Sequence, residues 1–502
     1  MKTLKITSTL FTALLALFIF ACQPSEKKAD TTSTDNLDLT YTTQSKEALQ
    51  QFKEGQTIFE LGDRERARPY FDKAIELDPD FAVAYVFRAW CRRSAQEYNA
   101  FTKMANEKNK NLSEAEQLMV ELNRGYATND VTKRMSVGKT MVEKYPEIAR
   151  GHLILGQAYK DSRDIMNARK NFAKVIELRP DWIAGYRALG ESYLFDEPKD
   201  LAKAEENMKK VVALMPNESR THIMMGDVYR AQQNLEKALV SFQKAASLAP
   251  NDEQVYGKAG HVNVHLGNYD EARKDYEKSK TLSNNPANSL NDFAFTYLYE
   301  GKHAEGLAYL KKQVSSLGNA GLSADELMGS KIDMLDKCMW TAFYLGDAAE
   351  TKALLAQIQP LDLERAKSAI SDEQMMIYKA RTNFNAGMLA LLEGNLEMAK
   401  EKAAAQKADL ATINNPSKLE AYYLLQGKIA MGEGKYADAV AQLEKANMGN
   451  MYHKYMLALA NKKAGNEEKA TQLLKDISAY RFVDLESALV RNDVLAMLPS
   501  RS

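Results

Sequence analysis

The chain opens on a basic and then apolar stretch. Lys2 and Lys5 precede a run from Leu10 to Ala21 in which only Thr12 is polar. That run falls short of the about 20 apolar residues that span a bilayer as a helix. Its length and basic start predict a secretory signal segment over residues 1–21. Residues 23–44 show no sustained apolar period and predict a flexible tether. As a coil it would span about 25 Å. No later stretch is long and apolar enough to cross a membrane.

Beyond residue 45 the pattern repeats, and the prolines give its period. Pro146 to Pro180 and Pro216 to Pro250 are 34 residues apart; Pro180 to Pro216 and Pro250 to Pro286 are 36. Proline stops helices because it lacks an N–H and clashes with the preceding turn. Regular stops therefore predict regular helical units. Residues 149–182 carry Leu155, Gly156, Tyr159, Ala168, Phe172 and Pro180; residues 219–252 carry Gly226, Tyr229, Ala238, Phe242, Ala245 and Pro250. Units 48–81 and 253–286 repeat these offsets with Gly55, Ala67 and Phe71, and with Gly260, Ala272 and Tyr276. A small residue at unit positions 8 and 20 lets two antiparallel helices approach, and aromatics at 11 and 24 fill the space beside them. A second glycine predicts a left-handed cap on the first helix, at Gly62, Gly267, Gly301, Gly346, Gly394, Gly434 and Gly465.

These offsets resemble the tetratricopeptide repeat. The resemblance implies an all-α, right-handed superhelical solenoid of about twelve helix–turn–helix repeats. An N-terminal array is expected over 45–318 and a C-terminal array over 332–484, with an interruption at 319–331 and a second break in the period at 361–379. Ser113-Glu116 and Ser323-Glu326 are capping boxes that restart helices. Pro69 predicts a kink or a late helix start. Residues 485–502 predict a capping helix and tail, with Leu485, Leu489, Val490 and Val494 covering the last repeat.

Ile19-Phe20-Ala21-Cys22 resembles the lipobox of bacterial lipoproteins. The resemblance implies that Cys22 carries the lipid and starts the mature chain. Together the two resemblances suggest a repeat lipoprotein of a Gram-negative, Bacteroidota-like bacterium. Such lipoproteins imply the outer membrane, and Gln23 lacks the aspartate associated with inner-membrane retention in enteric bacteria. Whether the body faces the periplasm or the outside stays open.

Charge and chemistry narrow the function. The 67 basic residues balance 67 acidic ones, so no electrostatic footprint for nucleic acid is present. Cys91 and Cys338 are about seven repeats apart and read as buried small hydrophobes rather than a disulfide. "SVGKT" at 136–140 lacks the leading glycine of a phosphate loop, since position 133 is Lys. His152 and His222 occupy unit position 4 and read as packing residues. In this repeat family positions 2, 5, 9, 12 and 13 face the concave groove. Candidate partner contacts are therefore Arg150, Gln157, Arg187, Glu191, Arg220, Asp227, Arg230, His261, His265, Asn291 and Tyr299. His261 and His265, with Asp227, carry zinc-ligand chemistry, but no His-Glu-x-x-His motif accompanies them; a polar ligand patch and a plain solvated groove are the alternatives. No metal and no cofactor is expected. Phe384, Met388, Leu391 and Leu392 make the same face apolar; covering by residues 361–379 is expected, with a hydrophobic partner site as the alternative.

The expected function is a non-enzymatic, lipid-anchored envelope scaffold that binds a protein or peptide in its groove. The alternative is a glycan- or nutrient-binding lipoprotein beside an outer-membrane transporter, with Trp90, Trp182 and Trp340 as sugar platforms. The oligomeric state and the partner's identity stay open.

Overall fold

The structure is a computed structural model that describes residues 38–369 and 371–498. The expected signal segment, Cys22, most of the expected tether and the last four residues lie outside the described residues. The described residues form one compact unit.

Helices come in consecutive pairs. The first three are α1 (Lys46–Glu60) with α2 (Arg64–Leu77), α3 (Ala82–Trp90) with α4 (Ala95–Glu107), and α5 (Glu114–Ala127) with α6 (Val131–Lys144). Next come α7 (Ala149–Asp161) with α8 (Ile165–Leu178), α9 (Ile183–Phe195) with α10 (Leu201–Leu214), and α11 (Ser219–Ala231) with α12 (Leu235–Leu248). Then follow α13 (Glu253–Leu266) with α14 (Tyr269–Leu282), α15 (Ala287–Tyr299) with α16 (His303–Ser316), and α17 (Ala324–Tyr344) with α18 (Ala348–Lys367). The last pairs are α19 (Asp372–Leu392) with α20 (Leu396–Asp409), α21 (Glu420–Gly432) with α22 (Tyr436–Leu443), and α23 (Met451–Lys463) with α24 (Glu467–Ala479). A final helix, α25 (Leu485–Met497), closes the chain. The described residues are thus an all-helical solenoid of twelve pairs plus one helix.

Four pairs, α1–α2, α7–α8, α11–α12 and α13–α14, are held by the small-against-aromatic contact read from the sequence. A Cβ at Gly156 would meet the Phe172 ring at 2.5 Å, and one at Gly260 would meet Tyr276 at 2.5 Å. Ala168, Ala238 and Ala272 are fully buried beside them. All seven expected cap glycines have φ between 75° and 85°. Asn111, Asn129, Arg163 and Gln233 also take positive φ, at 64°, 53°, 65° and 64°. A second device recurs at unit position 4. Tyr85, His222 and Tyr256 bond the carbonyl of the proline six residues earlier, at 3.1, 2.9 and 3.0 Å, and His152 does the same at 3.2 Å. These side chains pin the entries of α3, α7, α11 and α13 to the preceding stop signal.

The structure differs from expectation at several points. The interruption at 319–331 is largely helix: the Ser323 capping box starts α17, which is 21 residues long. The break at 361–379 is likewise spanned by the ends of α18 and α19. The sequence drops the 34-residue period there because the helices lengthen. Helix α2 runs through Pro69 rather than starting after it. "SVGKT" lies inside α6, where Gly138 lets α7 approach: a Cβ there would stand 2.8 Å from the Leu155 Cα. Phe384 and Met388 are buried in one cluster with Phe343, Tyr452 and Trp340, the last packed on Phe384, and no residue of 361–379 belongs to that cluster. Cys91 and Cys338 are free and buried, in separate clusters; burial pushes each thiol up to about 12.

The solenoid also turns back on itself. The α1–α2 corner meets α11, with Arg66 paired to Glu218 at 2.7 Å and Arg220 lying 3.6 Å from Asp63. Farther apart in sequence, the Gln96 N–H donates to Asp325 at 2.9 Å, and Asn99 donates to the Ser368 carbonyl at 3.1 Å. The α5–α6 corner bonds the α20–α21 loop through the Val131 N–H and the Asn414 carbonyl, 3.2 Å apart. Early and late pairs are thereby fastened to one another.

Candidate functional site

The expected groove residues lie on the first helices of their pairs, and the chain itself covers much of that face. At the near end, residues 38–44 lie across α1, α5 and α7 instead of forming a free tether. Leu39 and Tyr41 are buried. Gln56 donates to the Tyr41 hydroxyl at 2.8 Å, and the Tyr41 ring packs on Phe52 with centroids 4.7 Å apart. Thr42 donates through its N–H and its hydroxyl to Glu116, both at 2.6 Å. Arg150 donates to both Asp38 oxygens at 2.7 and 2.6 Å, and to Glu60 at 2.9 Å. Burial raises both carboxyls. At Asp38 burial is the largest single influence, but the Arg150 charge, the hydrogen bonds from Arg150 and Leu39 and the Arg179 charge together outweigh it and hold the group below the ordinary range; at Glu60 burial prevails and the group is raised.

At the far end, residues 480–497 cover α9 to α17. The Phe482 ring packs on Phe195 with centroids 5.1 Å apart and under Arg230 at 4.4 Å. The Tyr299 hydroxyl bonds Ser487 at 2.7 Å, and the Leu489 carbonyl meets His303 at 3.2 Å. Leu485, Ala488, Leu489, Val490 and Val494 of α25 join the core of the last repeats. The terminal helix therefore covers α23 and α24, as expected, and also reaches α15 and α17.

The expected exposure of the groove residues is corrected accordingly. Arg150, Arg220, Arg230, Asn291 and Tyr299 are all buried, Arg230 to 1%. Each is used within the chain: Arg220 by Asp63 and Gln254, Arg230 by Asp227 and His261, and Asn291 by Asp333 at 3.0 Å. Asp227 also takes Lys258 at 2.9 Å, and His261 meets Asp292 at 3.1 Å. Gln157, Arg187 and Glu191 stay half-buried, the last two paired at 3.0 Å. His265 packs on Tyr299 and neither ring nitrogen has a partner. His261 and His265 do not converge with Asp227 on a metal position; among the described residues no group of three or more His, Cys, Asp or Glu is so arranged. The tryptophans are packing residues too: Trp182 is buried and bonded to Glu60, while Trp90 and Trp340 sit in aromatic clusters.

The open space lies elsewhere, where the early pairs meet the late ones. A cleft of about 390 Å³ separates the α2 start and the α3–α4 corner from α15 and α17. Arg64, Arg92 and Arg93 stand on one wall, with Asn288, Met328 and Gly329 on the other. A second pocket of about 330 Å³ continues past the Gln96–Asp325 bond, lined by Leu327, Lys331 and Leu361. Asp325 and Met328 border both. Unit periodicity cannot find this cleft, because its walls come from pairs far apart in the chain and from loop and cap positions.

Four stretches match family models of the tetratricopeptide repeat: residues 44–81, 149–181, 219–252 and 253–286. The chain thus carries tetratricopeptide repeats, stacked as an α-solenoid. Among solved structures it is similar to a thermophilic tetratricopeptide-repeat protein of Thermus thermophilus, at 19% identity over 35% of this chain and 94% of that one, with a TM-score of 0.31. MamA of Desulfovibrio magneticus, from residue 41 to its end, is 23% identical over 34% of this chain and 94% of its own, with a TM-score of 0.30. YrrB, a tetratricopeptide-repeat protein with an unusual peptide-binding site, is 18% identical over 39% and 97%, with a TM-score of 0.26. No curated protein matches the sequence.

Proposed function

We propose that the protein is a lipid-anchored scaffold of the bacterial envelope that holds a protein partner in the cleft between its early and late repeats. The repeats themselves support a protein-interaction scaffold. One observation carries the finer reading: the near and far stretches of the groove are occupied by the chain's own residues 38–44 and 480–497, whereas the cleft bordered by Arg64 and Asn288 is open. Its walls mix polar, charged and apolar groups, the composition of a protein-binding surface. Cys22 supplies the anchor, at the outer membrane, and Gln23 agrees with that destination.

Two measurements test this. A photo-crosslinking residue at Asn288 should give one partner adduct in cells, and one at Asn171, on a second helix away from the cleft, should give none. Adducts from Asn171 but not Asn288 would move the partner to another face. Cys22→Ser should shift the protein from the membrane to the soluble fraction and abolish incorporation of a palmitate analogue. Retention at the membrane with no lipid label on the native chain would remove the anchor from the reading.

A further inference from the structure

The cleft holds an uneven set of charges. Arg93 is committed to Glu65 through bonds of 3.1 and 2.7 Å, and Arg365, also on the rim, is paired with Asp362 at 2.7 Å. Arg64 and Arg92 are different. Their contacts are rings: Arg64 lies 6.0 Å from the Phe59 centroid, and Arg92 lies 4.6 Å from that of Tyr98. Among the charges that act on Arg64 are those of Arg92 and Arg187. Burial and these two like charges pull its pKa below the ordinary value. Arg187 gives one nitrogen to Glu191 at 3.0 Å, but its Nε is buried without a partner. Its Nη1 comes within 3.4 Å of where a Gly62 Cβ would stand, just ahead of α2. Arg64 and Arg92 thus stand in the cleft without an ion pair, and Arg187 reaches the α1–α2 corner just ahead of Arg64, in a chain whose formal charge is otherwise balanced.

None of the acids across the cleft is ion-paired to Arg64 or Arg92, and each is bonded elsewhere. Asp325 accepts the Gln96 N–H, Glu326 accepts the Ser323 N–H at 3.0 Å, and Asp333 holds Asn291 and Lys337. That wall instead offers an exposed Asn288 and a bare strip of helix at Gly329, where a Cβ would meet nothing within 4 Å. A chain laid along this wall finds hydrogen-bonding groups and room for close approach, and it ends at the arginines.

We propose that Arg64 and Arg92 seat an acidic side chain of the partner's peptide segment at the mouth of this cleft. Guanidinium forks match a carboxylate bidentately, and the seat relieves a like-charge cluster that the fold leaves uncompensated. A peptide fits better than a small free anion because the arginines occupy only one end of an elongated surface that runs on into the second pocket. The proposal rests on the reading that the partner lies in this cleft.

The test titrates the full chain with labelled hexaglutamate, with hexalysine and with inorganic phosphate. Hexaglutamate should bind, hexalysine should not, and 0.5 M salt should weaken binding through screening. Arg64→Gln combined with Arg92→Gln should weaken it by at least about tenfold while the melting curve is kept, a loss expected of charge-assisted bonds. Lys103→Gln, on exposed α4 surface, should leave it unchanged. Hexaglutamate binding that survives the double substitution, or no binding at all, overturns the proposal. Phosphate binding that the double substitution removes, without hexaglutamate binding, also overturns it and leaves a small-anion site. If Asn288 still crosslinks a partner while hexaglutamate is ignored, the acidic seat falls and the cleft reading stands. Arginine-dependent hexaglutamate binding with no adduct from Asn288 keeps the seat and removes the partner from the cleft.

Discussion

The two ends of the groove are covered by the same chain in different ways. Residues 38–44 form no regular element, so their backbone groups find few partners among themselves. They are fixed by a few strong polar contacts, on Arg150, Glu116 and Asp78, with Tyr41 as the main apolar anchor. Residues 485–497 form a helix that satisfies its own backbone and buries one apolar face. The near cover is held by charge and geometry at identifiable points. The far cover is held by area, which no single substitution removes. A strap of the first kind detaches when one contact is lost, whereas a helix of the second kind leaves only as a unit.

Removing residues 480–502 is the strongest way to break this contrast. Leu485, Leu489, Val490 and Val494 are buried, and each such side chain contributes about 1.5–3 kcal/mol. The expected loss in urea unfolding is on the order of 6–12 kcal/mol, with the late repeats melting separately from the early ones. A single transition shifted by less than about 2 kcal/mol would mean that the helix only rests on the array. Arg150→Ala comes next. It leaves Glu60 and Asp38 without their cation, and stranding buried charges costs about 3–5 kcal/mol. Asp38→Ala should cost clearly less, because Arg150 keeps Glu60. Equal losses for the two variants would show that Glu60 takes no part in holding the strap. Ala238→Leu supplies the scale for an ordinary repeat away from both covers. It overpacks the fully buried site beside Phe242 and should cost about 1–3 kcal/mol in the same unfolding assay. A neutral result would mean that α11 and α12 can part without penalty.

Local features were the most legible from the sequence. The cap glycines, the two capping boxes and the small-aromatic pairs are where the period put them. They answer to contacts within one pair, so the necessary information is within 34 residues. The fate of the groove was not legible in that way. Unit position 2 correctly puts Arg150 on the first helix but says nothing of Glu60, 90 residues away, or of Asp38. Periodicity assigns a face, and only tertiary closure decides what covers it. One signal was readable and missed. Leu37-Asp38-Leu39-Thr40-Tyr41-Thr42 alternates apolar and polar residues, a pattern suited to a segment with one buried side; a free tether has no use for it. The lengthened α17 was readable too, since the Ser323 capping box marks its start inside the supposed interruption.

The smallest expected effect separates the two covers by pH. His265 lies on α13 beneath the far cover. Burial first, and then the charges of Arg491, Arg230 and Arg481 and of His261, hold its pKa well below the usual imidazole value. Tyr299 of α15 faces the ring without bonding either nitrogen. Above about pH 6.5 the ring is neutral in both folded and unfolded chains, and its contribution is fully present. As pH falls through that value, the unfolded ring takes a proton and the folded one does not. Stability is therefore lost on the acid side, by at most about 1.4 kcal/mol per pH unit for one proton. His261 is lowered in the same sense and His453 to about 4, so the comparison needs the variant and not the native slope alone. His265→Phe keeps the ring contact and removes the titration. Its urea midpoint should match or exceed the native one at pH 7.5 and fall less between pH 6.5 and 5. The early strap contains no histidine, and its carboxyl neighbour Glu60 is raised by burial, so release of residues 38–44, followed by a fluorophore at Thr40, should follow pH identically in the native chain and in His265→Phe. An unchanged acid slope in His265→Phe would mean that the far cover does not depend on keeping that ring neutral.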